Sequence, residues 1–136
     1  VDVNDARFLP PGDMPARIAA WCAERGVRAP QTQAEIDRCI IESLAQAFAD
    51  AALRAGRIGG VDVETVHIVG GGSQNELLCQ RTADRAGLPV LAGPVEATAL
   101  GSVLVQARTM GHIDGTLDSL RDLVRRTHTP LRFDPR

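Results

Sequence analysis

At 136 residues and 14.5 kDa, with 44% hydrophobic and 24% charged residues, the chain is composed for one folded domain and not for disorder. A formal net charge of −2 excludes nucleic acid or an anionic membrane as the main partner, and no apolar run reaches the roughly 18 residues of a membrane span. All fifteen basic residues are Arg and Tyr is absent, which excludes Schiff-base chemistry, a P-loop lysine and a tyrosine base.

Residues 1–12 end in Pro10-Pro11-Gly12 and read as a leading loop or linker. Residues 13–56 read as a helical hairpin. Asp13 caps a first helix that starts near Pro15 and stops at Gly26, burying Ile18, Ala19, Trp21 and Cys22. Thr32 and Glu35 form a capping-box pattern. The second helix runs to about Arg54 with Gly56 as its stop. Its buried stripe is Ile36, Ile40, Leu44, Ala47, Phe48 and Ala51.

Residues 64–127 change rhythm. Val66-His67-Ile68-Val69 and Pro89-Val90-Leu91-Ala92 are short strands, expected near 65–70 and 89–92. Between them lie Gly70-Gly71-Gly72 and a helix from about Gln74 to Ala86. A helix from about Ala97 to Met110 follows, then one opened by Thr116 or Asp118 and running through Arg126. The tail, 128–136, reads as irregular. Strands alternating with helices predict an α/β protein, β-α-β-α-α after the hairpin. The strands should be parallel, adjacent and joined by a right-handed crossover. Two strands cannot make an independent sheet. With no starting Met, the chain is therefore expected to be part of a longer protein with at least one sheet edge bare.

Three cysteines and no basic, apolar leader predict reduced thiols in the cytoplasm. Cys22 and Cys39 lie at equal offsets from the loop joining the hairpin. Their Cα atoms should approach the ~4.4–6.8 Å of a disulfide, either bonded or as thiols in contact. No cysteine pair has metal-ligand spacing. Cys79 is expected to be a small core residue.

The sharpest feature is strand, three glycines, helix. Glycines bring backbone close to a ligand, and the free N–H groups at a helix start favour acceptors. The P-loop pattern fails for want of Lys. The Rossmann G-x-G-x-x-G fails at Asn75, although Glu96 stands about where its acidic residue would. Ligand binding and mere tight packing of strand on helix both remain open on these residues.

The run VHIVGGGSQNELLCQRTADRAGLPVLAGPVEATALGSVLVQA resembles the C-terminal region of FGGY-type carbohydrate kinases. The shared parts are the glycine turn with its Asn, Ala83-Asp84, Gly87, Pro89-Val90 and Glu96 through Gly101. Segments FLPPGDMPARIAAWC, PQTQAEIDRCIIESLA and AGPVEATALG are similar to the rhamnulokinase branch, from residue 8 to about 107. The resemblance implies that 1–136 is part of the second domain of an actin-like ATPase (ribonuclease H-like) fold. It implies transfer of the ATP γ-phosphoryl, with Mg²⁺, to the 1-hydroxyl of L-rhamnulose. Gly71 and Asn75, flanked by Gly70 and Gly72, would lie nearest the adenine and ribose. The family's catalytic Asp and phosphate loop lie in segments not matched here, so no catalytic residue and no metal ligand is assigned, and the isolated chain is expected to be inactive. Another FGGY kinase, such as a xylulokinase or fuculokinase, or a non-catalytic nucleotide-binding α/β module, is the alternative.

The remaining candidates have plainer readings. His67 should pack or hydrogen-bond within its strand, with no carboxylate adjacent to orient it. Glu96 should favour the start of the following helix. Gly101 should permit close packing of that helix. Arg121, Arg125 and Arg126 should form a solvated face.

Overall fold

The computed structural model describes residues 1–136. They form two compact units, 1–63 and 64–136.

The first unit is helical. A short 3-10 turn, Ala6–Phe8, is capped by Asp5. Helix α1, Met14–Glu24, starts where the Asp13 carboxylate accepts from the Ala16 N–H at 3.1 Å, with Pro15 in its first turn. Ile18 and Cys22 are buried, but Ala19 is exposed and Trp21 half-buried. The Arg25 guanidinium lies 4.0 Å above the Trp21 ring, a cation–π contact that keeps that ring near the surface. Arg7 forks onto Glu24 at 2.9 and 2.8 Å and reaches Asp5 at 3.0 Å. Asp5 is held below the usual carboxylate range by the Arg7 backbone N–H and then its side chain, and Glu24 by the Arg7 guanidinium.

Helix α2, Gln33–Gly59, opens as the capping pattern predicts: the Glu35 N–H donates to Thr32 Oγ1 at 3.2 Å. Its far end corrects the expected stop. The helix continues through Gly56, and Gly60, at φ 64°, terminates it. Gly56 is buried inside the helix, where a Cβ would stand 2.6 Å from Val63 Cγ2 and 2.9 Å from the Val61 oxygen. The glycine is thus a site of close chain approach. The buried face is rotated accordingly onto Ser43, Ala45, Ala49 and Gly56, while Phe48 and Ala51 are exposed. The fully buried positions of α2 are small residues, while Ile36, Ile40, Leu44 and Ala47 of the expected stripe are half-buried. All three cysteines are free thiols: Cys22 and Cys79 are buried, Cys39 half-buried. The bonded alternative for Cys22 and Cys39 is thus not found.

The second unit is built on a three-stranded mixed sheet in the order β1-β2-β3. Strand β1, Val66–Ile68, pairs parallel with β2, Val90–Ala92, with Val66 opposite Val90 and Ile68 opposite Ala92. Helix α3, Glu76–Ala86, makes the crossover and packs on β2. Strand β3, Leu131–Phe133, lies antiparallel on the other side of β2, with Val90 opposite Phe133. This corrects the irregular tail: three residues alternating Leu-Arg-Phe are too short to announce a strand between prolines. Strand β1 keeps one neighbour and so one bare edge. The core is Ile68, Cys79, Ala83, Val90 and Ala92, with Val66 and Phe133 against it.

Helix α4, Ala97–Thr109, buries no residue, and α5, Leu117–Thr127, buries Leu120. Glu96 stands at the start of α4 but makes no side-chain cap. Gly101 is exposed, and a Cβ there would meet nothing within 4 Å. The expected close packing at Gly101 is therefore absent. No helix is long and apolar enough to cross a membrane.

Candidate functional site

The site is the passage from β1 into α3. Gly70 leaves the strand at φ 75°, ψ −164°, a conformation open essentially to glycine. Residues Gly71–Gln74 form one 3-10 turn, and α3 begins at Glu76. The Asn75 side chain accepts from the Leu78 N–H at 3.0 Å and so caps α3. The structure brings all four expected residues, Gly70, Gly71, Gly72 and Asn75, into this single turn. Gly71, Gly72 and Asn75 are exposed and Gly70 half-buried.

Two features hold the turn in place. Gly70 N–H donates to the Pro94 oxygen at 3.2 Å, and Gly93 N–H to the Ile68 oxygen at 2.8 Å. The loop leaving β2 is thereby fastened to the end of β1. Below the turn, the buried Cys79 thiol lies 3.9 Å from the Gly72 oxygen and 3.8 Å from that of Ser73. Burial, with the nearby Glu76 charge, pushes this thiol above its ordinary pKa, so it is a weak neutral donor and not a nucleophile.

Open space surrounds Gly71: a Cβ built there meets nothing within 4 Å. The concavity lies to one side. A cleft of about 390 Å³ is lined by Ser73, Gln74, Gly93, Glu96, Leu100 and His128, among others. Gly71 and Asn75 are not among its lining residues, and the Asn75 oxygen is committed to the helix cap. The concave surface beside the turn is lined instead by Ser73 and Gln74, to which the sequence assigns no role. Their signal was position alone, directly after the third glycine.

The segment from Val69 to Leu78 carries no basic side chain and one acidic one, Glu76. Such a surface offers backbone donors and no net positive charge, which suits an uncharged polar ring and hydroxyls better than a polyphosphate. No group of three or more His, Cys, Asp or Glu side chains could hold a metal ion. His67 is exposed on β1 and lines a second cleft, about 590 Å³, between the sheet, α4 and α5. Arg121 and Arg125 face the same cleft but are paired with Asp118 at 3.0 Å and Asp122 at 2.7 Å. Arg126 is exposed at the end of α5.

Residues 1–110 match the FGGY family of carbohydrate kinases, C-terminal domain. Over 124 residues the chain is 40% identical to a rhamnulokinase of Halalkalibacterium halodurans. That alignment covers 91% of this chain and 26% of the relative, so the chain spans about a quarter of the length of the curated protein it matches.

Proposed function

The chain belongs to the FGGY family of carbohydrate kinases, and we propose from this that it forms the adenosine-binding wall of an ATP-dependent sugar kinase. The observation that carries the reading is the glycine turn between β1 and the Asn75-capped α3, open at Gly71 and free of basic side chains. In this reading 1–136 is the C-terminal part of the second domain of an actin-like fold. The sugar is L-rhamnulose, phosphorylated at its 1-hydroxyl, by likeness to the rhamnulokinase relative.

Phosphoryl transfer depends on positioning and on electrostatic stabilisation by groups converging on the γ-phosphoryl. This chain supplies positioning. The Gly71 backbone and the Asn75 amide NH₂ are the groups left to meet the base and ribose, flanked by Gly70 and Gly72. ATP brings the phosphoryl group. Mg²⁺ would neutralise its developing charge, and no ligand to it is assigned to a residue of this chain. The general base for the sugar hydroxyl is likewise assigned to no residue of this chain.

The test is an assay of the full-length protein with ATP against a panel of ketoses, L-rhamnulose included. Gly71→Val adds a branched side chain to the open face and restricts the backbone. Its KM for ATP should rise about tenfold or more, equivalent to about 1.4 kcal/mol, with the sugar KM unchanged. A wild-type KM for ATP would remove the site assignment. Phosphorylation of xylulose or fuculose in preference to L-rhamnulose would replace the substrate and keep the class.

A further inference from the structure

Ser73 is the buried polar residue of the turn that the reading above leaves without a role. It is 5% exposed. Its hydroxyl donates to the Gly70 carbonyl at 2.7 Å, and its own backbone N–H donates to the same oxygen at 3.1 Å. One residue thus supplies both hydrogen bonds to that carbonyl, filling its two lone-pair sites.

The consequence follows from peptide geometry. The Gly70–Gly71 bond is trans, since the chain's cis peptide is Gly93–Pro94. In a planar trans peptide, C=O and N–H point in opposite directions. Drawing the Gly70 oxygen toward buried Ser73 therefore turns the Gly71 N–H away, toward the exposed side of the turn. Two consecutive glycines have no intrinsic preference that would hold this orientation. The Gly70 N–H bond to Pro94 at 3.2 Å fixes the preceding peptide, not this one. Cys79 reaches the oxygens of Gly72 and Ser73, which belong to later peptides.

We propose that Ser73 is a positioning residue for the nucleotide: its hydroxyl locks the Gly70–Gly71 peptide so that the Gly71 N–H faces the nucleoside. The proposal rests on the reading of the turn as an adenosine wall. Without the hydroxyl, the Ser73 N–H at 3.1 Å is left as the one bond on the Gly70 carbonyl, and the peptide between the two glycines is held less tightly. Binding then carries the cost of ordering it.

The experiment measures ATP affinity by calorimetry, with melting of the unliganded full-length protein, for wild type, Gly71→Val, Ser73→Ala and Ser73→Thr. Ser73→Ala should weaken ATP binding about three- to tenfold, the range of one neutral hydrogen bond, and leave sugar affinity unchanged. Ser73→Thr retains the hydroxyl and should bind ATP within about twofold of wild type, a rescue that a purely packing role for Ser73 would not produce. If Gly71→Val weakens binding and Ser73→Ala does not, the proposal falls and the adenosine wall stands. If wild type does not bind ATP, or Gly71→Val binds as wild type does, both fall together. Should Ser73→Ala lose its melting transition, Ser73→Cys decides against Ser73→Thr. Weaker ATP binding by the thiol variant supports the hydroxyl's role, and equal binding overturns it.

Discussion

Helices α3 and α4 precede and follow the same strand, β2, along the chain, yet they invert the usual relation between composition and burial. Helix α3, ELLCQRTADRA, carries Glu, Gln, Asp and two Arg, and buries Leu78, Cys79, Thr82 and Ala83. Helix α4, ATALGSVLVQART, is the more apolar of the two and buries nothing; Val103 is 62% exposed and Val105 50%. Burial is a property of a face and its partner, not of a sequence. The α3 face lies over the sheet and meets Val90 and Ala92 in the core. On α4 only Ala97, Leu100, Leu104 and Ala107 are even half-buried, and its valines stay exposed. Apolar side chains left in water gain nothing from the hydrophobic effect, roughly 25 cal/mol per Å² of surface removed from water.

The comparison breaks most readily at single side chains. Leu78→Ala on α3 should cost about 2–5 kcal/mol, the range for emptying a buried leucine site. Val103→Ala on α4 should stay within about 0.5 kcal/mol, as exposed substitutions do. Urea unfolding of the 136-residue chain measures both. Equal costs would show that α4 packs as α3 does. The same Val103 change in the full-length protein sharpens the point: a cost approaching about 1.5 kcal/mol, two methylene equivalents, would mark a face covered there.

The difference between the helices was only half legible in the sequence. Their existence and ends followed from glycines and caps. Gly87 closes α3 at φ 65°, and Thr116 with Ser119 forms a reciprocal cap on α5. Periodicity also located Cys79 in the core. It failed where the partner decides the outcome. On α2 the expected stripe through Phe48 gave way to burial at Ser43, Ala45, Ala49 and Gly56, and at Gly56 the chain passes so close that a Cβ has no room. Gly101 suggested close packing and has nothing near it. At the glycine turn, the motif marked Gly70, Gly71, Gly72 and Asn75 as candidates, but Ser73 carried no pattern of its own. A serine's importance there depends on which carbonyl it meets, and that is a property of the folded turn. Strand β3 was invisible for a similar reason: three residues acquire strand character only by pairing with β2.

Capping gives a smaller and cleaner contrast. Asn75 accepts from Leu78 N–H and caps α3, whereas Glu96 at the corresponding position of α4 caps nothing. Asn75→Ala should therefore destabilise by about 1 kcal/mol, the typical worth of an N-cap. Glu96→Ala should be within a few tenths of neutral, retaining only a screened charge near a helix start. Thermal melting of both variants tests this. A larger loss at Glu96 than at Asn75 would mean that the α4 start is held by a bond these residues do not contain.

The smallest expected effect concerns the charge at the far end of α3. Asp84 Oδ1 accepts from Gln80 Nε2 at 2.9 Å and from the Arg136 N–H at 3.1 Å, and Arg81 lies 3.4 Å from Oδ2. Gln80 also donates to the Asp134 oxygen at 2.8 Å, so α3 holds the segment following β3. These bonds, the Gln80 amide first, then the Arg136 N–H and the Arg81 charge, keep the Asp84 carboxyl below its ordinary 3.8. A carboxylate whose pKa falls on folding contributes stability that is complete above its unfolded value and disappears as pH drops through its folded one. Asp84→Asn keeps an acceptor oxygen and removes the charge. The variant should be slightly less stable than wild type at pH 6–7, by an amount reduced by solvent screening. That gap should close as the pH falls below about 3.8. Helix α4 has no carboxylate of this kind, its one charged residue being Arg108, so no substitution within α4 should produce a gap that depends on pH in this range. A gap for Asp84→Asn that stays constant from pH 7 to pH 3 would show that the side chain acts by shape and not by charge.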